Sequence, residues 1–185
     1  MPDKREKIIL GIDPGTTVMG YGIIKGVGKD PFFLDMGVVD LRKGGDHYMK
    51  LRKIYASTLE LMEKYLPDEV ALEAPFFGKN VQSMLKLGRA QGVAMAAVLA
   101  RDIPVFEYAP RKIKQSITSA GDASKEQVAG MLARMFKLEE IPKNLDATDG
   151  LAAAVCHFYQ TQIPSKKSGS DSWEAFIKKN PGRVK

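Results

Sequence analysis

At 185 residues the chain suits one compact domain with a short tail, and it is long enough to bury a substantial apolar core. Its 44% hydrophobic and 27% charged content excludes disorder throughout, and its single cysteine excludes an internal disulfide. The net charge of +6, with a pI near 9.3, favours a polyanionic partner, because phosphates attract Lys and Arg and binding releases counterions.

In chain order, Lys7 to Asp13 (KIILGID) is a short apolar run ending in a carboxylate, and it reads as a buried strand. Pro14-Gly15-Thr16-Thr17 follows as a turn. Gly20 to Val27 and Phe32 to Leu41 read as two further strands, joined by a Gly-Lys-Asp-Pro connection suited to a hairpin. Asp46 can cap a helix to about Leu66, with Leu51, Ile54, Tyr55, Leu59, Met62 and Leu66 at helical spacing and Pro67 as its stop.

Glu69 to Glu73 (EVALE) is a fourth strand, again ending in a carboxylate. A second helix, capped by Asn80, runs from Val81 to Arg101. Its Ala- and Gly-rich stretch, Arg89 to Ala97, offers a smooth face for the core or for a dimer surface, with the core favoured. Pro104 to Tyr108 is a fifth strand, and Pro110 can start a short helix. Ser124 and Gln127 have capping-box spacing and open a helix from Lys125 to Phe136. A last helix runs from Asp146 to Gln162, and the Ser/Lys/Gly-rich stretch after Pro164 reads as a linker. Three sequential strands predict an antiparallel meander, and the strand–helix–strand units after them predict parallel pairing by right-handed crossover. The expected fold is α/β: a mixed five-stranded sheet flanked by helices.

Much of the basic excess lies at the end of the chain. Lys166, Lys167, Lys178, Lys179, Arg183 and Lys185, against Asp171 and Glu174, supply +4 of the +6. This segment reads equally as a solubilising tail or as an arm that touches DNA. Cys156 sits in an apolar run as a core filler, and a lone thiol fits a reducing cytoplasm. The charged start MPDKREK and the short apolar run after it predict neither a targeting segment nor a membrane span.

Asp13 and Glu73 share a context, each closing an apolar strand. A carboxylate there is costly to bury unless a cation or hydrogen-bond donors compensate, and ligands of α/β sheets gather beyond the carboxyl ends of strands. The two could lie side by side if the first and fourth strands are neighbours. Asp146 and Asp149, at i and i+3, share one face of a helix's first turn, where the dipole favours negative charge. Taken alone, that pair reads as an N-cap and a surface acid. Four carboxylates without clustered His or Cys suit a hard cation with oxygen ligands, Mg²⁺ or Mn²⁺. Two such ions can drive phosphodiester hydrolysis, the reaction class that a basic protein with an acidic pocket suggests. His157 reads as packed and His47 as exposed, and neither is given a role.

The motifs GIDPGTTVMGYGII (Gly11 to Ile24), ALEAPFFGKN (Ala71 to Asn80), LKLGRAQGVA (Leu85 to Ala94), APRKIKQSITSAG (Ala109 to Gly121), ASKEQV (Ala123 to Val128) and DATDGLAAAVCH (Asp146 to His157) follow in order. Over residues 7 to 163 the sequence closely resembles RuvC-type Holliday junction resolvases of the ribonuclease H-like superfamily. The resemblance implies a nuclease domain over residues 1–163 with a basic, flexible tail over 164–185. It implies a cytoplasmic homodimer that binds four-way DNA junctions during recombination and repair and nicks two strands of like polarity, alongside the RuvA-RuvB branch-migration complex. Asp13, Glu73, Asp146 and Asp149 fall on the family's catalytic, metal-holding acids, Lys114 and Lys125 on basic residues beside them, and Phe76 on an aromatic that stacks on a base.

Adjacent Phe76 and Phe77 in a Pro-Phe-Phe-Gly loop cannot both easily join a core, and one exposed ring would give a stacking platform. Thr16, Lys79, Asn80, Lys86, Arg89, Arg111 and Lys112 are candidate DNA contacts. One departure is Met19, which stands where the family's first motif usually has Thr, and it leaves local packing open. The competing readings are an RNA-processing relative with the same acids, a non-enzymatic binder of branched DNA, and an actin-like ATPase suggested by GIDPGTT. The ATPase would need a second related domain.

Overall fold

The computed structural model describes residues 6–75, 80–140, 142 and 144–162. Five strands form one sheet: β1 (Glu6–Asp13), β2 (Val18–Val27), β3 (Asp30–Asp40), β4 (Glu69–Glu73) and β5 (Val105–Tyr108). Their order is β3-β2-β1-β4-β5. The meander β1–β2–β3 is antiparallel, and β4 and β5 add in parallel beside β1, as the sequence predicts. Five helices flank the sheet: α1 (His47–Tyr65), α2 (Val81–Leu99), α3 (Pro110–Thr118), α4 (Lys125–Phe136) and α5 (Asp146–Gln162).

Element boundaries shift from expectation by a few residues, for identifiable reasons. β2 starts at Val18 rather than Gly20, because Val18 already pairs with Asp40. β5 starts at Val105 rather than Pro104, since Pro104 has no amide hydrogen to give and only accepts from Val70 N at 3.0 Å. α1 ends at Tyr65, where Leu66 turns left-handed (φ 48°) and its amide closes on Met62 O. α2 stops at Leu99, before the left-handed Asp102 (φ 55°). The caps fall where expected. Asp46, Asn80 and Ser124 each accept from an amide three residues on, and Gln127 completes the Ser124 capping box.

Strand alternation divides the core into two layers. Leu10, Ile12, Met19, Ile23, Val70 and Leu72 face α1 and α2. Met19 is fully buried among them, which settles the local packing around the sequence departure. Ile9, Ile24 and Ala71 face the other way, towards α3, α4 and α5. On α5 every residue from Gly150 through Phe158 is buried, which explains why its sequence is apolar all round.

Among these, His157 is packed as expected and is fully buried. Its Nδ1 lies 2.7 Å from the Tyr108 hydroxyl and its Nε2 lies 2.8 Å from Glu69 Oε2. A carboxylate can only accept, so Nε2 carries the proton and Nδ1 accepts from Tyr108. Burial holds the imidazole pKa below its usual value, which keeps the ring neutral. The network ties α5 to β4 and β5.

On the α5 side of β1 and β2, Gly11, Gly20 and Gly22 leave no side chain between sheet and helix. A Cβ at Gly22 would fall 2.3 Å from Leu151 Cα, and one at Gly20 would fall 1.8 Å from the Asp146 carbonyl oxygen. On the helix, a Cβ at Gly150 would meet Tyr21 Cα at 2.5 Å. Helix backbone and sheet backbone therefore touch directly. Gly22→Val should cost on the order of 3 kcal/mol, the upper end for overpacking, because backbone cannot swing aside. That corresponds to a melting point about 6–12 °C lower for a chain of this size. Gly130→Ala, where an added Cβ meets nothing within 4 Å, should instead raise it slightly. Thermal melts of both variants check this, and an unchanged melting point for Gly22→Val would contradict the close contact.

Candidate metal centre and nucleic-acid interface

Asp13 and Glu73 end neighbouring parallel strands. The β1–β4 register pairs Gly11 with Ala71 and Ile12 with Leu72, which sets the next residues, Asp13 and Glu73, side by side. Alternation turns both towards the α5 layer. Gly15 keeps the turn after Asp13 tight, since a Cβ there would lie 2.0 Å from Val18 O.

The second pair of acids comes from the first turn of α5. Asp146 does not cap its own helix. Asn144 Oδ1 accepts from Asp146 N at 3.1 Å, Asn144 O accepts from Ala147 N at 3.3 Å, and Leu145 O accepts from Thr148 N at 2.9 Å. The carboxylates of Asp146 and Asp149 are thereby left for the site. Oxygens of Asp13, Asp146 and Asp149 all lie within 4.8 Å of one another. Glu73 stands outside that trio but shares with Asp13 and Asp149 a cleft of about 220 Å³, closed by Lys114, Lys125, Pro110, Ile113, Val128 and Ala152.

Electrostatics in the cleft are unbalanced. Burial, then the charges of Asp149 and Asp146, raise the Asp13 pKa from 3.8 to about 6, against a lowering effect of Lys125. Burial, then Asp13 and Asp149, raise Glu73 from 4.5 to about 8. Asp149 is also raised, chiefly by burial. Lys125 answers part of this demand: its Nζ lies 3.0 Å from Asp146 Oδ1 and bonds Asp149 Oδ2 as well. Burial alone would lower its pKa, but the bonds to Asp149 and Asp146 outweigh that and raise it. These bonds also offset the mild cost of a cation in the first turn of α4. Lys114 reaches the same cleft from α3.

The set fits a hard divalent cation. All of its donors are carboxylate oxygens, they converge from three elements, and the raised pKa values of Asp13, Glu73 and Asp149 register cationic charge still wanted beyond one ammonium group.

The remaining candidates divide. Phe76, Phe77, Lys79 and the tail from 164 onward lie outside the described residues. The Asn80 side chain caps α2. Arg89 is exposed on α2, and Arg111 and Lys112 are exposed at the start of α3. Thr16 and Lys86 line a separate cavity with Thr17, Gly45, His47 and Lys50. His47 departs from its expected exposure. It is half-buried, and its Nε2 is fully buried without a hydrogen-bond partner, because the β1–β2 turn and Lys86 of α2 gather round the start of α1.

Sequence reasoning also missed Gln91, which is buried and lines a cavity with Asp13, Pro14, Glu73, Ala74, Pro75 and Leu87. Its amide donates to Glu107 Oε1 at 2.5 Å. A lone amide in the small-residue stretch of α2 was the available signal. The α2 stretch itself splits. Ala90, Ala94 and Ala97 enter the core as expected, whereas Gly88 and Gly92 face open space.

Comparison with known proteins agrees with this geometry. The family model for "Crossover junction endodeoxyribonuclease RuvC" matches residues 9–157. The chain is 64% identical over 183 residues to a Bacteroides fragilis protein of that description, covering 98% of this chain and 97% of the relative. It is 57% identical over 186 residues to the Porphyromonas gingivalis protein of the same description, covering 98% of each. Among solved structures, Thermus thermophilus RuvC in complex with a Holliday junction substrate superposes with a TM-score of 0.75 at 32% identity, over 83% of this chain and 94% of that one. The yeast mitochondrial resolvase Ydc2 shares the fold, with a TM-score of 0.59 at 14% identity, over 81% and 78%. The mixed sheet is thus of the ribonuclease H-like kind expected from the sequence, and the chain belongs to the RuvC family of crossover junction endodeoxyribonucleases.

Proposed function

We propose that this chain resolves four-way DNA junctions in a cytoplasm, acting as a homodimer beside a branch-migration complex of the RuvA-RuvB kind. The observation that carries the reading is the convergence of Asp13, Glu73, Asp146 and Asp149 with Lys114 and Lys125 in one cleft. In this reading the four acids hold Mg²⁺, two ions per site, with Mn²⁺ able to substitute. When bound, the ions supply Lewis-acid polarisation and charge neutralisation at the scissile phosphate.

The chain's own groups do the positioning. Ile113, Val128 and Ala152 give the cleft apolar walls that limit bulk water and strengthen its electrostatics. The Lys125 ammonium, now spread between Asp146 and Asp149, is placed to contact a phosphate oxygen once those carboxylates take a metal. Lys114 offers a second cation to the same phosphate. Neither lysine can accept a proton from the attacking water while charged, so both serve to orient and to stabilise developing negative charge.

Two-fold symmetry accounts for paired nicks, because sites related by a dyad meet strands of like polarity on a junction that shares it. The supporting surface is the outer stripe of α2. Val81, Leu85 and Leu99 are 68%, 51% and 54% exposed, and Gly88 and Gly92 between them are open. That spacing lays a narrow apolar seam along one helix face, smooth enough for close approach of a second copy.

The decisive assay presents a mobile four-way junction, a linear duplex and an RNA hairpin at equal salt. Mg²⁺-dependent symmetric nicks confined to the junction are expected. Asp13→Asn, Glu73→Gln and Asp146→Asn should each lose on the order of a thousandfold in cleavage, as removal of several kcal/mol of transition-state stabilisation requires. Full cleavage by any of them would refute its metal role, and preferential cutting of RNA would redirect the substrate assignment. Gly92→Arg should convert the dimer to a monomer in sedimentation and uncouple the two nicks. A Gly92→Arg dimer of native mass would remove α2 from the interface.

The raised carboxyls also set a pH dependence. Folding lifts Asp13 to about 6 and Glu73 to about 8, so the folded metal-free chain keeps protons that the unfolded chain has released. Their contribution to stability is therefore complete below about pH 4 and drains away as pH rises through 6 and 8. A divalent ion needs the deprotonated forms, so the melting-point gain from added Mg²⁺ should grow from pH 5.5 to pH 8.5. Melts with chelator and with Mg²⁺ measure this, and a gain independent of pH would contradict the shifts.

A further inference from the structure

A second cavity, of about 300 Å³, is lined by Thr16, Thr17, Gly45, His47, Lys50 and Lys86, and it shares no residue with the carboxylate cleft. Its lining brings together the β1–β2 turn, the start of α1 and the outer side of α2. No acid lines it. Asp46, the nearest carboxylate in sequence, is spent on the α1 cap, where it accepts from Met49 N at 2.9 Å. Neither Lys50 nor Lys86 forms an ion pair among the described residues. The first turn of α1 itself carries no acid, so Asp46 at its cap is the one carboxylate near this end of the helix.

His47 supplies the pointed observation. Its Nε2 is buried and has no hydrogen-bond partner, the one such side-chain atom among the described residues. A buried ring nitrogen left unpaired is costly, and because His47 lines this cavity a rotation of its ring towards a bound anion would relieve that cost. Gly45 beside it takes φ 77° and presents bare backbone to the cavity. Two ammonium groups, two hydroxyls and a ring nitrogen form a donor set for an anion with several acceptor oxygens.

A third cavity gives the direction of approach. It shares Asp13 and Glu73 with the carboxylate cleft, and its Pro14 and Leu87 stand close in the chain to residues of the His47 cavity, Thr16 two residues on and Lys86 one before. We propose that the Thr16/Thr17/His47/Lys50/Lys86 cavity is a backbone-phosphate pocket, which holds a phosphodiester of the strand that runs past Asp13 and so sets its register on the catalytic acids. This rests on the junction-binding reading. Such a contact is independent of base sequence: it positions the strand and does not read it.

The test uses the full-length protein. Titration with inorganic phosphate, and separately with a four-way junction in Ca²⁺, is followed through the His47 imidazole resonances by NMR. Lys50→Ala/Lys86→Ala, His47→Gln and the exposed-lysine control Lys53→Ala are then compared for junction affinity across a salt series. Both ligands should shift the His47 signals in the wild type. The double variant should lose the phosphate response, bind junction roughly tenfold more weakly at 0.1 M salt, and lower the salt slope by about one for each lysine removed. His47→Gln, which keeps a donor, should retain most of the affinity, and Lys53→Ala should match the wild type.

A His47 signal that answers phosphate but stays silent to bound junction would overturn the strand assignment and leave a site for free phosphate. Silence to both, with wild-type affinity and slope in the double variant, would overturn the pocket altogether. If the wild type fails to bind junction while phosphate still shifts His47, the junction reading fails and the anion site stands.

Discussion

The site depends on how closely α5 can lie against β1 and β2. A helix normally rides on a sheet through interleaved side chains. Here Gly20 and Gly22 on the sheet and Gly150 on the helix remove those side chains, and backbone rests on backbone. The first turn of α5 then arrives within a few ångströms of the end of β1, where Asp146 and Asp149 can share a space with Asp13. Side chains on the same sheet face would lift the helix and part the two acidic pairs. The apolar burial of α5 on all sides and the Glu69–His157–Tyr108 network hold it there.

That proximity creates an electrostatic problem which is also the source of the chemistry. Burial raises the pKa values of Asp13, Glu73 and Asp149, and the charges of neighbouring carboxylates add to the effect. Lys125 supplies one resident positive charge and keeps Asp146 and Asp149 paired in the metal-free protein. One ammonium cannot match the whole set. In the proposed reading the remaining demand favours a divalent cation, and the lysine it would displace would lie close to the scissile phosphate. Stability is thus held below what a neutral cleft would give, in exchange for a poised site.

The basic residues extend this logic outward. The Gln91 cavity shares Asp13 and Glu73 with the carboxylate cleft, and α2 lines both it and the His47 pocket, through Leu87 and Gln91 in one and Lys86 in the other. The same helix sends Ala90, Ala94 and Ala97 into the core and turns Val81, Leu85, Gly88, Gly92 and Leu99 outward, on the side proposed for the second subunit. In the proposed reading one helix would serve both subunit contact and strand path, so a change in how α2 packs would reach both.

The sequence by itself determined the elements and most of the chemistry. Period-two and period-3.6 patterning, Pro110, and the Asp46, Asn80 and Ser124 caps are local signals, and they placed strands, helices and the mixed sheet to within a few residues. Carboxylates at the ends of apolar strands announced themselves through their burial cost. What it could not determine was adjacency. Asp13 and Glu73 meet because β4 inserts beside β1 rather than beside β3, a choice made by the crossover through α1. Asp146 is a site residue rather than a helix cap because Asn144 and Leu145 bind the free amides of α5 first. His47 was read as an exposed helix-opening residue, since nothing near it in sequence shows that α2 brings Lys86 to its side. Local propensity acts over a few residues along the chain, whereas the sharing of charge, cavities and unpaired donors is decided by packing between segments that lie far apart in sequence.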